Sequence, residues 1–192
     1  MNVCVFCSAN ELAVEYVDAA RTFARHLAEH NHTLIWGGTN TGLMEVMASG
    51  VQAGGGRVIG VSLELWRETN RADADEMVIA QTLGERKATM LERSDALVML
   101  VGGIGTFDEV TEVIELKRQG AHAKPIVVLN TAGFYDGLKQ QLKRMEAEGF
   151  LSAPLAEYVG FSDTPDEAIA FLEREPPHPG SSASGGGFRA GD

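Results

Sequence analysis

The chain alternates short, wholly apolar segments with longer amphipathic ones along almost its entire length. The segment ALVML carries no polar side chain, so a strand there must be covered on both faces. The stretch FDEVTEVIELKRQ that follows it repeats apolar residues at the spacing of a helix with one buried face. This alternation is typical of βαβ units, and it predicts an α/β fold: a single Rossmann-like, doubly wound parallel sheet with helices on both faces.

The apolar runs give approximate bounds for these elements. Strands are expected at Val3–Cys7, Thr33–Trp36, Arg57–Val61, Ala96–Val101 and Pro125–Leu129, with weaker ones at Glu76–Ile79 and Glu157–Val159. Helices are expected at Val14–Glu29, Leu43–Ala53, Leu83–Arg93, Phe107–Gln119, Tyr135–Glu148 and Pro165–Glu173. Ligands of such sheets bind beyond the carboxyl ends of the strands, so a site is expected in the loops that follow strands.

Length and composition bound the domain organisation. A chain of 192 residues can bury one substantial core but is short for two, so one Rossmann-like domain is assigned to residues 1–174. Gly, Pro and Ser supply 11 of the 18 residues from 175 to 192, which predicts a disordered tail.

The charge balance limits the possible partners. The chain has 16 Lys and Arg against 27 Asp and Glu, a net charge of −11, which opposes nucleic acid or an anionic membrane as partner. No apolar run approaches the roughly 18 residues that span a bilayer, and no basic segment precedes the first strand, so a cytoplasmic location is expected. Cys4 and Cys7 fall within a strand on opposite faces, which favours two small buried side chains over a redox or metal pair.

Three histidines lie close together in the sequence. His26 and His30 are spaced i, i+4, and His32 follows, which could form a metal-binding face. However, the end of a helix suits imidazole through its dipole, and no carboxylate or Cys partner is evident in the sequence. We therefore expect no metal site there.

A glycine-rich turn follows the strand ALVML. Gly102, Gly103 and Gly105 with Thr106 precede a helix, and such a turn directs several N–H groups toward one point at the positive helix end. The pattern is neither the Walker loop nor the dinucleotide G-x-G-x-x-G. A phosphate site is the favoured interpretation, and a plain tight turn is the alternative.

Two carboxylates stand beside this turn. Glu109 lies three residues after Thr106, a spacing that also makes a capping box, and Glu112 follows on the same helix face. Carboxylates next to a phosphate are reasonable where a cation must form, as in an oxocarbenium-like ribosyl transition state. We therefore predict a catalytic role for Glu109, with which a capping role is compatible.

Arg86 lies on the apolar stripe of its helix, and Lys87 is beside it. Both occupy the first helical turn, where positive charge is unfavourable. An inward guanidinium near strand ends suits contact with a phosphate or a carboxylate, although a structural ion pair is the alternative.

Two further loops follow strands. One contains Gly37 and Gly38 and leads to Met44, and the other begins at Ser8. Three polar or glycine-rich turns on one sheet edge are typical of a nucleotide site.

Several motifs together resemble one known family, and the likeness runs from Met1 to about Leu172. They are Gly102-Gly103-x-Gly105-Thr106-x-x-Glu109, Glu85-Arg86-Lys87-x-x-Met90, Gly37-Gly38-x-x-x-Gly42-Leu43-Met44 and Lys124-Pro125-Ile126-Val127-Val128-Leu129-Asn130. The combination is similar to the LONELY GUY (LOG) family, cytokinin riboside 5′-monophosphate phosphoribohydrolases long misnamed lysine decarboxylases.

The resemblance implies hydrolysis of the N-glycosidic bond of a nucleoside 5′-monophosphate, without metal or cofactor, by a homodimer. Arg86 and Glu109 match the family's catalytic pair. The glycine loop with Thr106 would hold the 5′-phosphate, and the loops at Ser8 and Gly37 would flank the nucleotide. Lys87, Glu112 and Met44 are further candidates for substrate contact. The alternatives are hydrolysis of another monophosphate such as CMP or GMP, and a molybdenum-cofactor carrier of the same fold.

The sequence departs from the family pattern in the binding loops. Ser8, Thr39 and Glu45 stand where the family usually has glycine. Gly84 stands in place of a histidine, and Val101 in place of a proline. These positions predict a divergent member whose contacts to the base or phosphate differ from the usual ones.

Overall fold

One parallel sheet organises the protein, which a computed structural model describes over residues 1–174. Within that range the sheet has seven strands in the order β4-β3-β2-β1-β5-β6-β7. The strands are β1 (Asn2–Phe6), β2 (Thr33–Trp36), β3 (Val58–Leu63), β4 (Glu76–Ala80), β5 (Ala96–Met99), β6 (Ile126–Leu129) and β7 (Gly160–Ser162). The expected doubly wound α/β fold is confirmed.

Helices connect the strands on both faces of the sheet. They are α1 (Val14–Glu29), α2 (Gly42–Ala53), α3 (Leu83–Arg93), α4 (Ile104–Arg118), α5 (Asp136–Ala147), α6 (Leu155–Tyr158) and α7 (Pro165–Arg174), with 3-10 segments at Glu64–Thr69 and Thr131–Gly133. None of the helices in the described range is long and apolar enough to cross a bilayer.

Each face of the sheet has its own hydrophobic core. Phe23 of α1, Met47 of α2 and Leu172 of α7 pack in one cluster, while Met90 of α3 and Val110 of α4 pack in the other. The two cysteines follow this division as expected, with Cys7 in the first cluster and Cys4 in the second. Both are free, buried thiols.

The position of the site follows from the strand order. From β1 the chain builds outward through β2, β3 and β4, then crosses back and places β5 on the other side of β1. The connections leave β1 and β5 in opposite directions, so a crevice opens between the loops at their carboxyl ends.

The C-terminal part corrects one predicted element. The strand expected at Glu157–Val159 is wrong: Leu155–Tyr158 form one helical turn, and the strand follows at Gly160–Ser162. Leu155 and Tyr158 are both buried at a spacing of three residues, which fits one face of a helix. Helix α4 begins at Ile104, three residues before the expected start. The tail predicted for 175–192 lies outside the described residues.

Candidate active site

The crevice beyond β1 and β5 contains a pocket of about 390 Å³. Loops after four strands and the first turns of three helices surround it, in agreement with the expectation that the site follows strand ends. Its lining includes Cys7, Ser8, Ala9, Asn10, Thr39, Met44, Trp66, Thr69, Arg86, Gly103, Gly105, Thr106 and Glu109.

The amino end of α4 provides the anion-binding part of this pocket. Gly103 is the N-cap residue, and Phe107 is the first residue whose N–H bonds back to the Gly103 carbonyl, at 3.0 Å. The N–H groups of Ile104, Gly105 and Thr106 therefore have no partner within the helix, at the end where its dipole is positive. Such a helix end binds phosphate or carboxylate.

Two features of this turn were not apparent from the sequence. A Cβ at Gly102 would overlap the hydroxyl of Thr106, so a glycine is needed there for that side chain to fold over the turn. The alternative interpretation of Thr106 and Glu109 as a capping box is wrong, because Thr106 is the third residue of the helix and Gly103 occupies the cap. The carboxylate of Glu109 accepts a hydrogen bond from Arg86 instead.

Arg86 and Glu109 form a buried ion pair at the base of the pocket. Nη1 of Arg86 donates to Oε1 of Glu109 at 2.6 Å, and the two residues are 4% and 9% exposed. Nε of Arg86 donates to the Val61 carbonyl at 2.9 Å, and the Trp66 ring lies 5.5 Å from the guanidinium carbon. A Cβ at position 37 would lie 2.5 Å from Nη2, so Gly37 makes the space that the guanidinium occupies.

The surroundings of Glu109 determine its protonation. Burial raises its pKa, and the adjacent Arg86 charge opposes that effect without cancelling it. Such a carboxylate is weakly solvated, so its attraction to a cation in the pocket is stronger than it would be in water. A raised pKa also suits a group that takes a proton from water near neutral pH.

Lys87 and Glu112 lie on the other side of this pair. Nζ of Lys87 contacts Asp108 Oδ2 at 3.0 Å and also contacts Glu112 Oε2. The hydrogen bond to Glu112, and after it the one to Asp108, raise the pKa of Lys87. Both residues line a second cavity of about 1090 Å³ between α3 and α4, which Glu109 also borders. The structure thus does not bring Lys87 and Glu112 into the crevice.

The remaining predicted residues are placed as follows. Ser8 and Met44 line the pocket. The Ser8 N–H donates to the Val101 carbonyl at 3.1 Å, which ties the loops after β1 and β5 together. Gly38, in the loop after β2, has a φ of +81°, a conformation that favours glycine.

Sequence reasoning missed the contribution of the segment after β3. Trp66 and Thr69 of the 3-10 segment line the pocket. Arg71, just beyond it, donates from its backbone N–H to the Gly38 carbonyl at 2.9 Å and from Nη1 to Asn40 Oδ1 at 2.8 Å, which holds the loop after β2. The sequence offered one indication: this segment directly follows a predicted strand, and loops after strands are where the site was expected.

The departures from the family pattern divide into two groups. Ser8 and Thr39 line the pocket, so they can alter substrate contact. Glu45 instead accepts a hydrogen bond from Ser49 at 2.5 Å, and Val101 is buried in the core. Gly84 lies in the exposed first turn of α3.

Comparisons with known proteins point to one family. The family model described as "possible lysine decarboxylase" matches residues 44–172. The cytokinin riboside 5′-monophosphate phosphoribohydrolase LOG2 of Arabidopsis thaliana is 35% identical over 91% of this chain and 84% of its own length. The enzyme of the same name from Mycobacterium tuberculosis is 34% identical over 87% of this chain and 90% of its own length.

A structural comparison supports the fold. The molybdenum cofactor carrier protein of Chlamydomonas reinhardtii superposes with a TM-score of 0.68 at 23% identity, over 90% of this chain and 95% of that one. This similarity concerns the fold alone. The family model covers the glycine turn of α4 and the Arg86–Glu109 pair, the sequence relatives cover most of the chain, and the chain belongs to the LONELY GUY family, to which the "possible lysine decarboxylase" description is attached.

Proposed function

We propose that this protein hydrolyses the N-glycosidic bond of a nucleoside 5′-monophosphate, a cytokinin ribotide or an AMP-like nucleotide, to free base and ribose 5-phosphate. The observation that carries the proposal is the buried Arg86–Glu109 pair beside the unsatisfied amino end of α4. Its curated relatives bear the name of this activity. The proposed reaction consumes the nucleotide and one water molecule.

The 5′-phosphate would bind at the start of α4. The free N–H groups of Ile104, Gly105 and Thr106 are suited to its oxygens, and the Thr106 hydroxyl adds a donor. Ser8 lies across the crevice, where its hydroxyl oxygen already accepts the Asn10 N–H at 3.0 Å, leaving its own hydrogen available to a ligand. The phosphate would fix the ribose above Glu109.

Glu109 would act on the glycosidic carbon. As the bond from C1′ to the base nitrogen breaks, positive charge develops on the ribose, and the desolvated carboxylate stabilises it. The same carboxylate orients the attacking water, whose hydroxyl joins C1′ while the other proton passes to the departing base. Arg86 holds Glu109 in place through Nη1.

Trp66 and Thr39 would define the base pocket. The Trp66 ring forms part of the pocket wall against Arg86, and an aromatic ring there can stack on a purine. Thr39 stands where the family usually has glycine, so its side chain narrows the space available to a ligand. The preferred base of this member would follow from these two side chains.

The proposed enzyme is a cytoplasmic homodimer. Leu83 of α3 and Ile104 and Phe107 of α4 are large apolar residues in the first turns of their helices, with 55%, 87% and 40% exposure. Apolar side chains exposed together are typical of interfaces. Light scattering should give twice the chain mass, and Ile104→Arg should shift the protein toward monomer, whereas a monomeric wild type would contradict the assembly.

Product analysis tests the activity. Purified protein is incubated with AMP, isopentenyladenosine monophosphate, GMP and CMP, and free base is measured by chromatography. Glu109→Gln should abolish release while nucleotide binding persists. Glu115→Gln on an exposed turn of the same helix is the matched control and should behave as wild type.

The outcomes separate the possible functions. Base released from one nucleotide and lost in Glu109→Gln establishes the glycosidic chemistry and names the substrate. Release from none of them refutes the proposal, and a retained, co-purifying ligand would then favour the carrier alternative. Full activity of Glu109→Gln would reduce Glu109 to a structural partner of Arg86.

A further inference from the structure

Three residues from separate segments converge near the amino end of β2, on the opposite side of the sheet from the carboxyl ends that border the crevice. His30 ends α1, His32 directly precedes β2, and Glu173 lies in the last turn of α7. One possible ligand atom from each residue, a ring nitrogen of His30 and of His32 and a carboxylate oxygen of Glu173, lies within 4.8 Å of the other two. The carboxylate that the sequence alone did not reveal thus comes from α7.

The His32 ring points an unsatisfied nitrogen into this cluster. His32 is 7% exposed, and its Nε2 has no hydrogen-bond partner among the described residues. Oε1 of Glu173 lies 3.6 Å from this nitrogen, which is longer than a normal hydrogen bond. The other ring nitrogen, Nδ1, lies 3.3 Å from the amino group of Met1. A buried polar atom without a partner is costly, and a ligand at Nε2 would remove that cost.

The geometry points to a divalent transition-metal site, with zinc as the best match, formed by His30, His32 and Glu173. Two imidazoles and one carboxylate with an open fourth position are a donor set that zinc accepts. The Oε1 of Glu173 is 2.5 Å from His30 Nδ1 and would have to move by ~1 Å, since donors of a tetrahedral zinc lie ~3.3 Å apart. The side chains of His30 and Glu173 are 37% and 40% exposed and have room for this movement.

A bound metal would connect the end of α1, the start of β2 and the end of α7.

Metal titration of the full, untagged chain tests the site. After chelator treatment and desalting, the protein is titrated with Co²⁺ by visible absorption and with Zn²⁺ by calorimetry. One equivalent should bind per chain, with Zn²⁺ displacing Co²⁺. His30→Gln and Glu173→Gln should each weaken binding at least tenfold while the circular dichroism spectrum is unchanged. These positions are used because His32 is buried and its replacement can unfold the chain.

Two control variants define the location. Glu29→Gln removes a neighbouring carboxylate that contacts His26 rather than the cluster, at 3.3 Å, and should bind zinc as wild type does. His178→Gln removes a histidine outside the described residues and should also bind normally. Absence of binding, unchanged binding in both ligand variants, or loss in either control would overturn the site. The proposed hydrolase site lies beyond the carboxyl ends of the strands, away from this cluster. Binding or absence of zinc therefore does not test the proposed hydrolase activity.

Discussion

Replacing Arg86 by methionine isolates the energetic role of the buried ion pair. Methionine retains the length and apolar packing of the arginine stem but removes the charge that faces Glu109. The pair is short at 2.6 Å, and its side chains are 5% and 11% exposed, so neither solvent nor salt screens it well. The remaining carboxylate would be buried without a counter-charge.

The expected loss of stability follows from the burial of the ion pair. Breaking a buried pair by removing one partner costs about 3–5 kcal/mol of unfolding free energy, mostly because the remaining charge is desolvated. With a urea m-value of about 2 kcal/mol/M, the midpoint should fall by about 2 M. Adding Glu109→Leu to Arg86→Met removes the stranded charge and should recover most of that loss.

The loss should depend on pH in a defined direction. Without Arg86, the pKa of Glu109 rises further above its ordinary value of 4.5 in the folded state. The folded protein then binds a proton that the unfolded chain has released, so stability falls as pH rises from 4.5 to the raised pKa. The deficit of Arg86→Met should be full above that raised pKa and should shrink as the pH is lowered toward 4.5.

Urea unfolding followed by circular dichroism, at fixed protein concentration, measures these effects. Arg118→Met is the control, since Arg118 and Glu115 are also 2.6 Å apart but are 40% and 46% exposed, and its midpoint should barely change. A loss in Arg86→Met no larger than in this control, or no recovery in the double variant, would refute the argument that the pair is isolated from solvent.

Three further outcomes follow from the same pocket. Gly37→Ala should lower kcat/KM at least tenfold with the fold retained, because its Cβ would lie 2.5 Å from Arg86 Nη2; unchanged kinetics would show that the guanidinium tolerates displacement. The acidic limb of the kcat/KM profile should inflect above pH 4.5, as the raised pKa of Glu109 requires, and an inflection at or below 4.5 would assign the limb to another group. Trp66→Leu should raise KM about tenfold with a smaller effect on kcat, measured by steady-state kinetics, if the ring stacks on the base.

Most of the fold could be predicted from the sequence because its strands and helices carry unambiguous periodicity. Helix α1 begins and ends where expected, and ALVM is a strand buried on both faces. The errors fall where the pattern is short. The segment Leu155–Tyr158 forms a single helical turn. So short a segment shows no repeat of its apolar residues, and its sequence is equally compatible with a short strand.

The site was predictable only in part, because its components depend on three-dimensional neighbours. Arg86 and Glu109 stand out in the sequence by their unfavourable positions, but their mutual contact joins residues on two different helices, 23 positions apart. Trp66 lies in a 3-10 segment whose geometry has no strong sequence pattern. Glu173 could not be connected with His32 before the packing of α7 on α1 was known.

The burial of Arg86 and Glu109 together explains how a strongly anionic chain can accommodate an anionic substrate. Arg86 neutralises Glu109 at the pocket floor, so a phosphate at the start of α4 meets backbone donors without a net negative charge beneath it. As the glycosidic bond breaks, the cationic ribose gains attraction to Glu109 that the neutral ground state lacks. The pair can therefore favour the transition state over bound substrate, which is the condition for catalysis. An isolated carboxylate in the same place would repel the phosphate, and an isolated arginine would bind it without assisting bond cleavage.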